Sequence, residues 1–215
     1  MNKIALVIGA TGVVGKELVL QLLNNKHYSK VITFSRRQLE IQNDSLIQHI
    51  IDFNVPEAWQ HLVQGDDFFC CIGTTLKQAG SKQNQKYIDF QIPVTFAKIA
   101  KKHGISQAIL VSSTGADASS NSFYLGLKGN LENELIKLGF NKLIIVRPSV
   151  LVGQRDDFRL GEKFAIVLLN MLKGLPIIKR YRPIKGEQVA RAMITFANHP
   201  DAESIVIKNL DELFL

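Results

Sequence analysis

Short apolar runs alternate with segments of helical period along most of the chain. "KIALVIG" (residues 3–9) is continuously apolar, the pattern of a strand buried on both faces. "KELVLQLLNN" follows with Leu18, Leu22 and Leu23 on one helical face. The runs "KVITFS", "SLIQHIIDF", "DDFFCCIG", "QAILVSS" and "KLIIVRP" predict five further strands. Helices are predicted near Pro56, over 85–103 with Gly104 as the stop, and through Tyr124 to Leu138 with Gly139 as the stop. Alternation of this kind implies parallel βαβ units and an α/β fold: a doubly wound, mostly parallel sheet of Rossmann type. After Pro148 the pattern changes. Helices are expected over 162–172 and 187–198, and a last strand at "SIVIK". The expectation is one domain over 1–215, with about 149–215 forming a small lobe on the substrate side.

Composition narrows the picture. Apolar residues make up 46% of the 215, enough for a real core. The formal charge of +7 favours anionic partners. The positive residues are scattered, no nucleic-acid-binding motif accompanies them, and nucleic acid is not expected as a partner. The two cysteines, Cys70 and Cys71, are adjacent on a predicted strand and point to opposite faces, so a disulfide between them is not expected. The histidines are dispersed, without metal-ligand spacing. The N-terminal apolar run lacks a cleavage pattern, and no apolar stretch has the length of a membrane span. A soluble, cytoplasmic protein without a structural metal is the expectation.

"GATGVVG" sits between the first strand and the first helix. In that context Gly9 makes the tight turn, Gly12 lets backbone approach a diphosphate, and Gly15 lets the helix pack closely. The helix N-terminus adds N–H groups and positive partial charge. The second strand ends in "SRR". Folds that prefer NAD carry an acid near that point for the ribose 2′-hydroxyl; Arg36 and Arg37 suit a 2′-phosphate instead. NADPH is therefore the expected cofactor. Asp52 is a candidate for the adenine amino group, and Ile72 and Gly73 for the wall beside the ribose.

"LVSSTGAD" places Ser112, Ser113 and Thr114 at the end of the fifth strand. Tyr124 and Lys128 follow, four apart on one helical face. A free phenol is a poor base near neutrality, but a nearby ammonium favours phenolate. Tyr124 is then a candidate to give a proton to a carbonyl oxygen, with a hydroxyl from Ser113 or Ser112 bonding the same oxygen. Thr114 remains a third possible register.

These pieces occur in order from residue 8 to 153: "IGATGVVG", "SRR", "DF", "CCIGTT", "AG", "SSTGAD", "SSNSFYLGLKG" and "VRPSVLVG". Together they resemble the short-chain dehydrogenase/reductases, and within them the atypical branch of HIV Tat-interacting-protein-like oxidoreductases. The resemblance implies an NADP-binding domain with Tyr124 as proton acceptor and Lys128 as its partner. It also implies cofactor contacts at Thr11, Gly12, Val13, Val14, Arg36, Arg37, Ile72, Gly73, Leu151 and Arg159. The family often has lysine where Thr114 stands. Two functions follow as expectations. One is NADPH-dependent hydride transfer to a carbonyl-like small molecule; the other is an NADP(H)-binding regulator with little turnover.

Overall fold

The computed structural model describes residues 2–152, 182–200 and 202–215. Seven parallel strands form one sheet: β1 (Lys3–Ile8), β2 (Tyr28–Ser35), β3 (Leu46–Ile50), β4 (Asp67–Cys70), β5 (Gln107–Val111), β6 (Lys142–Arg147) and β9 (Ile205–Asn209). Their order is β3-β2-β1-β4-β5-β6-β9. The chain winds outward from β1 in one direction, then returns to β4 on its other side. That reversal opens a crevice at the carboxyl ends of β1 and β4, where doubly wound folds bind ligands.

The continuous apolar runs are explained by two cores, one on each sheet face. Ala5, Val7, Phe69, Ile109 and Ile144 point to the face covered by α1 (Val13–Leu23) and α7 (Gly186–Asn198). Their neighbours Leu6, Ile8, Phe68, Leu110 and Ile145 point to the other face, under α5 (Ile92–Lys102) and α6 (Phe123–Lys137). Trp59 stacks on Phe96 of α5 at 5.5 Å between ring centroids, and Phe96 meets Phe68 at 5.1 Å. Cys70 and Cys71 fall on opposite faces and both are free.

The helix expected over 85–103 is continuous from Lys82 to Lys102, with a π turn inside it, and a separate short helix precedes it. Leu76–Ala79 forms α3, capped by the Thr75 hydroxyl, and Lys82–Lys86 forms α4, capped by Ser81. A π turn over Tyr87–Gln91 joins α4 to α5. Pro93 explains the widening: it has no N–H for the Asp89 carbonyl, and its ring crowds that group. A short helix over Pro56–Trp59 (α2) and a strand pair, β7 (Leu151–Val152) with β8 (Ile184–Lys185), complete the elements used below.

The lobe expected over 149–215 is corrected in part. α7 packs beside α1 and β9 extends the main sheet along β6, because their apolar faces complete the central core. The helix expected over 162–172 and the candidate Arg159 lie outside the described residues. Among those described, no helix is long and apolar enough to cross a membrane.

Candidate active site

The glycine turn closes β1 against β4. Gly9 has φ +77°, in the left-handed region, and its carbonyl accepts from the Gly12 N–H at 3.0 Å. A Cβ on Gly9 would lie 2.5 Å from the Cys71 carbonyl carbon, and one on Gly15 would lie 2.1 Å from the Gly9 oxygen. Packing therefore excludes side chains at both. Gly12 differs: its nearest such neighbour is 3.3 Å away. The missing side chain there leaves backbone approachable. Gly12 is also the N-cap of α1, with no side-chain cap and no acidic residue in the first turn. These residues fit a diphosphate at the helix start. Val14 is buried in the core, so it can offer a ligand only its backbone; Thr11 and Val13 are half-buried at the turn.

Arg36 and Arg37 are exposed just beyond β2. Asp52, also exposed, accepts at one oxygen from the Asn54 backbone N–H at 2.9 Å and side-chain amide at 2.7 Å. Tyr87 connects these groups. Burial pushes its phenol up, Asp52 adds to that, and Arg36 opposes it. Arg36 and Asp52 thus both lie within electrostatic reach of the Tyr87 phenol. Beside it an open cavity of about 590 Å³ is lined by Asn54, Gln83, Asn84, Lys86, Tyr87 and Gln91.

The structure brings Tyr124 and Lys128 together at the start of α6. The Lys128 ammonium lies 6.0 Å from the Tyr124 ring centroid. It donates to the Ile72 carbonyl at 3.4 Å, and Gly73 is close enough that a Cβ there would sit 3.7 Å from it. Lys128 is only 2% exposed. Burial works against its charge, but Tyr124, Asp89, Cys70 and Glu132 outweigh burial and hold the ammonium above the ordinary lysine range.

The three hydroxyls after β5 have different fates. Ser112 is buried and donates to Glu132, and Thr114 donates to the Arg147 carbonyl at 2.9 Å. Ser113 is half-buried and makes one long local bond, 3.3 Å to the Thr114 carbonyl. Leu151 is exposed on β7, paired with Ile184 of β8 rather than with the main sheet.

Several supporting residues were not singled out by sequence reasoning. Glu132 is buried and takes the Arg147 guanidinium through both oxygens, at 3.0 and 2.5 Å. That pair ties α6 to β6, and Ser112 adds β5. The signal was present: Tyr124, Lys128 and Glu132 repeat at intervals of four along one helical face. Gln85 and Asp89, also four apart, are buried against the loop after β4.

A family model described as NAD(P)H-binding matches residues 9–200. The chain is also 35% identical to the Rattus norvegicus protein HTATIP2 over 168 residues, covering 76% of this chain and 69% of that one. It belongs to the NAD(P)H-binding family, as an atypical short-chain dehydrogenase/reductase of the HTATIP2 group. The Candida albicans protein FMP52, mitochondrial, is 33% identical over 96% of this chain and 95% of its own length. Among solved structures, the UDP-glucose 4-epimerase of Thermotoga maritima superposes with a TM-score of 0.73 at 18% identity, over 96% of this chain and 76% of that one. For this member of the family, the FMP52 relatives overturn the cytoplasmic placement expected from the sequence, since they are named mitochondrial proteins. The expectation rested on few, unpaired cysteines and on the missing cleavage pattern and membrane-length run; the cysteines fit any reducing compartment, and none of these signals names one.

Proposed function

We propose that the protein is an NADPH-dependent reductase of a carbonyl-like small molecule, with Tyr124 as proton donor. The observation that carries this reading is the buried Lys128 ammonium, set between the Tyr124 ring and the Ile72–Gly73 backbone. A nicotinamide dinucleotide supplies the hydride when bound. The protein's residues do the rest. The glycine turn and the α1 N-terminus hold the diphosphate. Arg36 and Arg37, exposed at the end of β2, grip the 2′-phosphate. Tyr124 gives its proton to the substrate oxygen, and Lys128 stabilises the negative charge left on the phenol. Ser113 bonds that same oxygen, since Ser112 and Thr114 are committed elsewhere. The names of the FMP52 relatives favour a mitochondrial setting for this work.

The test is NADPH oxidation against a panel of aldehydes and ketones, with Tyr124→Phe alongside. Turnover by the wild type should fall about 100-fold or more in Tyr124→Phe, the usual weight of a general acid. NADPH affinity should change little. A wild type that binds NADPH yet turns over none of the panel would instead support the regulator, in which the same crevice senses NADP(H).

A further inference from the structure

We propose that Asp89 is a positioning residue for the Tyr124–Lys128 pair: its buried carboxylate is the counter-ion of Lys128 and, with Gln85, it latches the backbone of residues 72–74 beside the crevice. This rests on the reading of that pair given above. Asp89 is fully buried on the π turn. One carboxylate oxygen accepts from the Thr74 N–H at 2.8 Å; the other has no hydrogen-bond partner among the described residues. Gln85, one turn earlier and 3% exposed, donates to the Thr74 carbonyl at 3.1 Å. One helical face therefore holds both backbone groups of Thr74. Lys128 holds the Ile72 carbonyl two residues earlier at 3.4 Å, so two buried side chains of opposite charge type grip the same short stretch of backbone.

A buried charge needs a partner, because burial without one disfavours the charged form. The groups facing Lys128 are Tyr124 and Glu132 on its own helix, Asp89 from the π turn and Cys70 from β4. Glu132 already has Arg147 as its counter-ion. The Cys70 thiol is pushed up to about 11 by burial and carries no charge near neutrality. Asp89 is the carboxylate left, and Lys128 is the cation that acts on it; burial pushes its carboxyl up and Lys128 opposes that. The π turn matters because it sets this carboxylate one turn from Gln85 and against the loop.

If Asp89 served only as an acceptor for Thr74, asparagine would do the same work. Asp89→Asn keeps size and acceptor and removes the charge. The ionisation of Lys128 is read by NMR of lysine labelled at the side-chain nitrogen, its resonance assigned with Lys128→Arg. In Asp89→Asn the midpoint should fall by about one pH unit or more, as expected for losing an opposite charge at close range. In Gln85→Leu, which breaks the latch but keeps the charge, it should stay in place. An unchanged midpoint in Asp89→Asn, or an equal fall in Gln85→Leu, overturns the proposal. Should Asp89→Asn not fold, a wild-type midpoint below the ordinary lysine value of about 10.4 overturns it equally. Fluorescence titration of the wild type with NADPH separates the two readings. Without binding the cofactor reading fails, whatever Lys128 does.

Discussion

Arg36 tests the cofactor at the scale of one residue. Its guanidinium is exposed and lies close enough to Tyr87 to oppose the rise in that phenol. A charge-assisted bond to phosphate contributes about 1.5–3 kcal/mol, roughly a 10- to 150-fold change in affinity. Arg36→Ala should weaken NADPH by that factor and NADH by less than about twofold, because only NADPH carries the extra phosphate. Titration calorimetry with both cofactors decides it; matched losses would remove the 2′-phosphate assignment. The serines make a second point at this scale. Ser112 and Ser113 are neighbours in sequence, yet alternation along the strand end sends Ser112 under α6 to Glu132 and leaves Ser113 at the half-buried rim.

At the scale of elements, the seat of α6 decides whether Tyr124 and Lys128 meet the loop after β4. Gly129, next to Lys128, lies against the chain at Asp117 and Ala118. A Cβ there would come within 2.2 Å of the Ala118 nitrogen and 2.3 Å of the Asp117 carbonyl carbon. Both are backbone atoms and cannot rotate away, so α6 must shift. Gly129→Ala should cost about 1–3 kcal/mol in urea unfolding and weaken NADPH binding together with stability. Normal stability and affinity in this variant would mean that the contact is looser than described. The Glu132–Arg147 pair works in the same direction, fixing α6 to the end of β6.

At the scale of the whole molecule, one buried cluster closes the end of the sheet away from the crevice. The Tyr28 hydroxyl donates to Asp67 at 2.6 Å, Lys3 donates to the same oxygen at 3.0 Å, and the Asn198 amide reaches Tyr28 at 3.4 Å. β1, β2, β4 and α7 are joined there. Burial pushes the Asp67 carboxyl up, while the bonds from Tyr28 and Lys3 oppose that. The folded protein thus holds this proton more tightly than the unfolded chain does. The contribution is fully present at low pH and is lost as pH rises from about 3.9 through the raised folded value. Tyr28→Phe removes a donor that favours the charged form, so it raises that value further and steepens the loss. Its cost should be about 1.5–3 kcal/mol at pH 7 and smaller near pH 4. Urea unfolding at both pH values checks this; a pH-independent cost would exclude the charged acceptor.

The sequence alone determined the layers and the turn. Continuous apolar runs separated by helical periods demand a sheet buried on both faces, and "GATGVVG" between strand and helix demands a close-packed turn, because both signals are local. The spacing of Tyr124 and Lys128 was legible for the same reason. Tertiary structure alone decided which charges neighbour which. Asp89 and Lys128 both reach the backbone of residues 72–74, and Glu132 meets Arg147, from separate elements, and these meetings depend on strand order and on a π turn set by Pro93. It also drew α7 and β9 into the main body, since an amphipathic helix and a short strand carry no record of which sheet will bury them.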